Sequence, residues 1–207
     1  MRAKKTETEV RRLQITKAAM ALISEGGLGN LNIAGIAEKI GIVPSAVYRH
    51  FKNKEEILSA VLELLRKQLL ANVEKVEFEV SGAFSRLRFL LELHADLLKH
   101  NPVFPHIVFA HFSQSDHMQR LSSLNSTICA YLQGIARIVE AGQQEGEIRS
   151  DIPAWNAAIM FIGLILPVAM LHRLSGDKFD LLKHLDVAWP VFMKGLTTVV
   201  NVETIKD

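Results

Sequence analysis

The stretch Asn32 to Lys54, NIAGIAEKIGIVPSAVYRHFKNK, constrains this chain more than any other part of its sequence. Ile33, Ile36, Ala37 and Ile40 fall at i, i+3, i+4 and i+7, the spacing that lines one face of an α-helix with apolar side chains. Asn32 precedes that helix with a short side-chain acceptor for its orphan amides, and Gly41 follows it where a left-handed residue ends a helix. Gly41-Ile42-Val43 is then the turn. Pro44 stands at the start of a second helix, a position that needs no backbone N–H and suits a fixed φ. Val47 and Phe51, at i and i+4, give this second helix a buried face, and its outer face carries Ser45, Ala46, Tyr48, Arg49 and His50. A two-turn helix with a small N-terminus and a basic, aromatic outer face, held at an angle on a supporting helix, has the shape that enters a DNA major groove.

Charge agrees with that reading. The formal net charge is +2, but residues 1 to 70 hold 12 Lys/Arg against 7 Asp/Glu, and residues 71 to 207 hold 12 against 15. The basic end is the one with the groove-reading pattern, as phosphate contact requires. At 207 residues, 49% hydrophobic and 22% charged, the chain has enough apolar surface to bury a sizeable core.

Gly41-Ile42-Val43-Pro44-Ser45-Ala46-Val47-Tyr48-Arg49-His50-Phe51, followed by Lys52-Asn53-Lys54-Glu55-Glu56-Ile57, resembles the helix-turn-helix of the TetR family of bacterial transcriptional regulators. The likeness rests on Ile36-Ala37 in the supporting helix, the turn glycine, Tyr48-x-x-Phe51, and Lys54-x-x-Ile57 opening the next helix. It covers about the first quarter of the chain, and Gly142 to Asp151 resembles the family's connection between its seventh and eighth helices. The resemblance implies an all-α fold of about nine helices, with a DNA-binding domain over residues 1–52 and an effector-binding and dimerisation domain over residues 53–207. It also implies DNA contacts: Tyr48 and His50 match positions that touch phosphate, and Lys54 matches a phosphate-binding lysine. Asn32, Ile33, Ala34, Pro44, Arg49 and Lys52 complete the expected interface, with Ser45 and Ala46 where bases are read, the alanine methyl suiting a thymine methyl. Val43 stands where the family commonly has a capping serine, and Ala34 where many members carry a longer polar side chain. Base readout is therefore expected to rest on few contacts, Arg49 with Ser45 among them.

The rest of the chain keeps helical spacing. Ile15, Ala18, Ala19, Leu22 and Ile23 predict a first helix from about Glu7 to Glu25, ended by Gly26-Gly27 and capped by Thr6 or Thr8. Arg11, Arg12 and Lys17 lie off its apolar face, as solvated surface or as phosphate contacts. Asn53 with Glu56 makes an Asn-x-x-Glu capping pair, and Ile57, Leu58, Val61, Leu62, Leu65 and Leu69 continue as a long amphipathic helix. Beyond Gly82 helices are predicted over 84–99, 104–112, 118–141, 154–171 and 179–200, with breaks at Asn101-Pro102, Gly142 to Pro153 and Ser175-Gly176-Asp177. The run Ala157 to Leu171 contains Gly163 and Pro167 and, at 15 residues, falls short of the roughly 20 that span a bilayer. It reads as a buried helix kinked at Pro167, not as a membrane segment. The charged N-terminus, Met1 to Glu7, leads into no apolar stretch; it reads as a flexible basic arm, not a signal peptide, and a cytoplasmic location is expected.

Two further surfaces are expected. A helix apolar nearly all round suits burial against its own subunit and a partner, so Trp155, Ile159, Ile162, Leu166 and Met170, with Trp189, Phe192 and Leu196 of the last helix, are the expected faces of a homodimer, the alternative being a monomer core. An effector pocket is expected from Phe89, Leu93, Phe104, Phe109, Phe112, Met160, Phe161 and Leu164, with His106 or His111 as a polar anchor, and its apolar character implies a small hydrophobic effector.

Catalysis has little support. His94, His100, His106, His111 and His117 cluster in sequence, but spacings of five and six place neighbours on different helix faces, unlike the i, i+4 pair of a helical zinc site. No nucleophile elbow, phosphate loop or paired-carboxylate pattern is present, so neither an enzyme nor a cofactor is expected. The single cysteine, Cys129, excludes an intramolecular disulfide; it reads as a small buried hydrophobe or, alternatively, as a redox sensor. The expected function is a ligand-responsive regulator, a repressor, that binds a palindromic double-stranded operator as a dimer and is released by its effector. Two rivals remain: a DNA-bound adaptor or cell-division regulator whose C-terminal body binds a protein, and a metalloenzyme built on the histidines.

Overall fold

Helical spacing is met by helices throughout the computed structural model, which describes residues 2–100, 103, 106, 107, 118–175 and 180–198. They are α1 (Arg2–Gly26), α2 (Ile33–Lys39), α3 (Pro44–Val47), α4 (Lys54–Glu79), α5 (Ala83–His100), α6 (Met118–Gln144), α7 (Ala154–Gly163), α8 (Leu166–Ser175) and α9 (Leu181–Leu196), with a 3-10 turn at Leu28–Asn30. The only β-pairing among the described residues is an isolated bridge between Ile148 and Thr197. The helix expected over 104–112 and the breaks at Asn101-Pro102 and Gly176-Asp177 lie largely outside the described residues.

The chain forms two compact units. Met1–Gln68 with Leu97–Thr127 make the first, and Leu69–Asp96 with Ile128–Asp207 the second. In the first, α1 packs on α2 and α2 on α3. Ile15, Ala19, Ile23, Ile36, Ala37, Val47, Phe51, Ile57 and Val61 are all buried, which removes the apolar stripes of four helical segments from water together. The α1 and α2 helices approach closely at Gly35, where an added Cβ would sit 3.2 Å from Leu22 Cδ1.

In the second unit α4 continues with buried Leu69, Val73 and Val76, and α5 contributes Leu87, Leu90, Leu91 and Ala95. Glu147 caps α5 from a distant loop: its Oε2 accepts from the Ala83 N–H at 2.8 Å. Gln143 Nε2 donates to the carbonyls of Arg149 (2.9 Å) and Ile152 (2.7 Å), which pins the loop after α6. The α7, α8 and α9 helices pack on one another, with Phe161 against Phe192 (ring centroids 5.9 Å apart) and Trp189 against Phe192 (5.8 Å).

Four boundaries differ from expectation, each for an identifiable reason. The α1 helix begins at Arg2, so the expected basic arm is helical; nothing between Arg2 and Glu7 is a helix breaker. The α3 helix has four residues, not two turns, and the chain continues as turn through His50. The α6 helix runs through Gly142 to Gln144; Gly142 is there for close packing, since a Cβ would overlap that of Ala83, and the left-handed residue past the helix is Gly146 (φ 76). Finally, the 154–171 helix is broken, not kinked. Pro167 has no N–H for the Gly163 carbonyl, and the chain tightens at Leu164 and Ile165 with bonds to Phe161 and Ile162 (3.1 Å each) before α8 starts.

Candidate nucleic-acid interface

The geometry around α2 and α3 follows from its caps. Asn32 Oδ1 accepts from the Gly35 N–H at 2.7 Å, and its Nδ2 donates to the Asn30 carbonyl at 3.0 Å. A satisfied N-cap of this kind is worth about 1 kcal/mol. Lys39, in the last turn of α2, pairs with Glu25 of α1 at 2.7 Å. Gly41 takes φ 69, and the Ile42 N–H closes on the Ala37 carbonyl at 2.9 Å, which turns the chain into α3 within three residues. Val43 caps α3 with backbone alone and Pro44 starts it, so the departure from the usual serine leaves the N-terminal amides without a side-chain partner.

Val47 and Phe51 are fully buried and fix the inner face of α3. Pro44, Ser45, Tyr48, Arg49, Lys52 and Lys54 are exposed, Tyr48 at 56%, as is Ala34 on α2. Ala46, His50, Ile33 and Asn32 are half-buried. Of the expected contacts, Asn32 is thus occupied as a cap, while one side of the motif presents a small polar N-terminus, an aromatic hydroxyl and three cations. That surface can accept phosphate oxygens and the edges of bases.

Arg12 belongs to this site, but not as a free surface cation. Its guanidinium donates to the His50 carbonyl and to Glu56 Oε1 (3.1 Å), and stands 4.0 Å from the Phe51 ring centroid. Glu56 Oε2 accepts from the Lys52 N–H at 2.7 Å, while the Glu56 N–H donates to Asn53 Oδ1 at 2.9 Å. The Asn-x-x-Glu cap is therefore present, with its return bond one residue earlier than the N-cap. The Lys52 N–H, with help from Arg12, holds the Glu56 carboxyl below the ordinary carboxylate range.

The expected effector residues that are described differ in exposure. Phe161 is fully buried in the packing of α7 on α9, Met160 is 55% exposed, and Phe89, Leu93 and Leu164 are half-buried. His106 is buried in the first unit, where its Nδ1 stands 3.1 Å from the position a Cβ on Gly27 would take. Phe104, Phe109, His111 and Phe112 lie outside the described residues, as does His117. Among the described residues, a cleft of about 410 Å³ lies between α1 and α4, lined by Lys17, Met20, Ala21, Ser24, Glu25, Leu64 and Gln68, none of them an expected effector contact.

The sequence reasoning missed a buried polar pair in the second unit. His94 Nδ1 and the Tyr131 hydroxyl are 3.1 Å apart, their rings edge to face with centroids at 5.3 Å. Burial pushes the His94 pKa down to about 4 and the Tyr131 pKa up. The signal was readable: His94 occupies the same stripe as Leu87, Leu90, Leu91 and Leu98. Among the described residues, no three His, Cys, Asp or Glu side chains converge on a point that could hold a metal ion. Cys129 is half-buried on α6.

The expected dimer residues divide cleanly. Trp155 (40%) and Ile159 (48%) are exposed, and Ile162, Leu166 and Met170 are half-buried. Trp189, Phe192 and Leu196, expected at the interface for their size, are taken up by the chain's own core; the face of α9 turned outward carries Leu182, Val187 and Val191. The apolar stretch Ala154–Leu171 has a mean hydropathy of 2.0 over 18 residues with only 33% of it buried, which leaves a large apolar face uncovered.

Residues 15–61 match the family described as bacterial regulatory proteins, tetR family, and residues 48–195 match YsiA-like protein, C-terminal region. The fatty acid metabolism regulator protein of Bacillus subtilis (strain 168) is 26% identical over 169 residues, 82% of this chain and 87% of that protein. The nucleoid occlusion factor SlmA of Yersinia enterocolitica is 24% identical over 202 residues, 95% of this chain and 100% of that protein. Among solved structures, the transcriptional regulator FadR from Bacillus subtilis in complex with stearoyl-CoA superposes with a TM-score of 0.75 at 24% identity, covering 89% of this chain and 98% of its own. A TetR-family regulator from Agrobacterium tumefaciens reaches 0.78 at 16% identity, covering 92% and 100%.

Proposed function

Because this chain belongs to the TetR family of bacterial regulatory proteins, we propose that it is a ligand-responsive transcriptional repressor that binds a palindromic operator as a homodimer. The observation that carries the reading is the division of the stretch from α3 to the start of α4, with Val47 and Phe51 fully buried and Ser45, Tyr48, Arg49, Lys52 and Lys54 presented outward. Ser45, Ala46 and Arg49 read bases; Tyr48, His50, Lys52 and Lys54 hold phosphates. Residues 1–52 are the DNA-binding domain and residues 53–207 the effector-binding and dimerisation domain.

A second copy covers the apolar face of α7 to α9, through Trp155, Ile159, Ile162, Leu166 and Met170 with Leu182, Val187 and Val191. A groove-reading dimer needs such an interface to set its two recognition helices about 34 to 36 Å apart. The effector is a fatty acyl compound, a class supported by the likeness to the fatty acid metabolism regulator protein. Such a ligand must bind the DNA-incompetent state better, and tenfold release requires about 1.4 kcal/mol of differential affinity.

A second reading has its own support. The nucleoid occlusion factor SlmA matches over a longer span than the fatty acid regulator does, 95% of this chain against 82%, which favours a DNA-bound adaptor whose body binds a protein. One experiment separates the two: retention of the DNA beside the protein's own gene, with and without fatty acyl thioesters of graded length. Release by a thioester supports the repressor. Specific retention that no acyl compound disturbs favours the adaptor, and retention with no sequence preference sinks both.

A further inference from the structure

Three elements of the first unit meet on the Arg12 side chain of α1. It donates to the His50 carbonyl, just beyond α3, and to Glu56 in the first turn of α4, and it lies over the Phe51 ring between them. Glu56 in turn accepts from the Lys52 backbone N–H. Both backbone groups lie in the link between α3 and α4, the segment that carries Lys52 and leads into Lys54.

We infer that Arg12 and Glu56 are a positioning pair, which fixes the recognition helix and its two flanking lysines in the arrangement the operator requires without touching DNA. The inference rests on the DNA-binding reading above. A half-exposed ion pair alone contributes little. This one differs because each partner also holds a backbone group of the reading segment, so losing it frees the link and not merely two side-chain tips. A lysine cannot replace Arg12: one ammonium on a flexible stem does not bridge a carbonyl and a carboxylate while lying flat over a ring.

The test uses full-length Arg12→Lys, Arg12→Met, Glu56→Gln and the Arg12→Met/Glu56→Gln double variant. Each is titrated by fluorescence anisotropy against the duplex that the wild type selects from a random-sequence pool, and against a scrambled duplex, across a salt series. The selected-to-scrambled ratio should fall about tenfold in each single variant, the loss expected for a charge-assisted bond, and the double variant should be no worse than Arg12→Met alone. The slope of log affinity against log salt should respond alike in Arg12→Met and Glu56→Gln, because neither residue itself holds a phosphate. A ratio that survives both Arg12→Met and Glu56→Gln overturns the inference. So does a slope that falls by about one in Arg12→Met and is unchanged in Glu56→Gln, which would make Arg12 a phosphate ligand. If Arg12→Met fails to fold, the isosteric Glu56→Gln decides alone. A wild type that selects no sequence, with Tyr48→Ala and Lys54→Ala binding as it does, sinks the DNA-binding reading and this inference with it.

Discussion

Burial of His94 gives the second unit a defined acid sensitivity. In the folded chain the imidazole is buried against Tyr131, and loss of hydration lowers its pKa from 6.5 to about 4. As pH falls, the unfolded chain takes up the proton first. The folded state is therefore at full strength above about pH 6.5 and loses stability as pH drops toward its own pKa of about 4. At 1.36 kcal/mol per pKa unit, the two-and-a-half-unit difference amounts to about 3 kcal/mol at the acid end and about 2 kcal/mol at pH 5. Urea unfolding followed by tryptophan fluorescence, at pH 7.5 and pH 5.0, measures it. The comparison is with His94→Gln, whose side-chain carbonyl can still accept the Tyr131 hydroxyl but does not titrate. Other groups contribute equally to both proteins, so the difference of differences isolates this residue. The wild type should lose about 2 kcal/mol more than the variant between the two pH values. If the two lose stability in parallel, His94 is not held neutral by burial and the reasoning fails.

Other consequences are open to direct measurement. Asn32→Ala removes the side-chain cap of α2 and should cost about 1 kcal/mol in thermal or chemical unfolding; an unchanged midpoint would mean the cap is dispensable. Lys54→Ala should weaken binding to all duplexes alike and lower the salt slope by about one, whereas Arg49→Ala should relax sequence preference. Trp155→Glu with Ile159→Glu should yield a folded monomer by light scattering, since both side chains are exposed in the single chain. A dimer that persists would place the interface elsewhere.

What the sequence revealed depended on how local each signal was. The helix-turn-helix was legible almost residue by residue, because caps, a turn glycine and an i, i+4 pair act over a few positions: Asn32, Gly41, Pro44, Val47 and Phe51 all do what their spacing predicts. Long-range partners were not legible. Nothing beside Arg12 in the sequence points to Glu56, 44 positions later, and nothing beside Glu147 points to Ala83. Residue size misled where facing mattered. Trp189 and Phe192 are large, as interface residues often are, but they share the inward stripe with Leu185 and Leu196, while the smaller Val187 and Val191 face out. Pro167 was read as a kink because a kink and a break lose the same hydrogen bond. The break shows in the bonds of Leu164 and Ile165 to Phe161 and Ile162, which no local sequence signal announces.

The two glycines inside α6 bear on any attempt to make this protein more robust. In an ordinary helix interior, glycine to alanine stabilises by about 0.5–1 kcal/mol, so both would be early choices in a thermostabilisation campaign. Here the added methyl at 134 would press on Val73 at 2.9 Å, and the one at 142 would overlap Ala83 and stand 2.9 Å from Ile148. Raising helical propensity at these positions would drive α6 away from the helices it rests on, so the usual remedy would reverse sign. Engineering for longevity should begin at exposed polar positions of α6 such as Gln133 and Gln144.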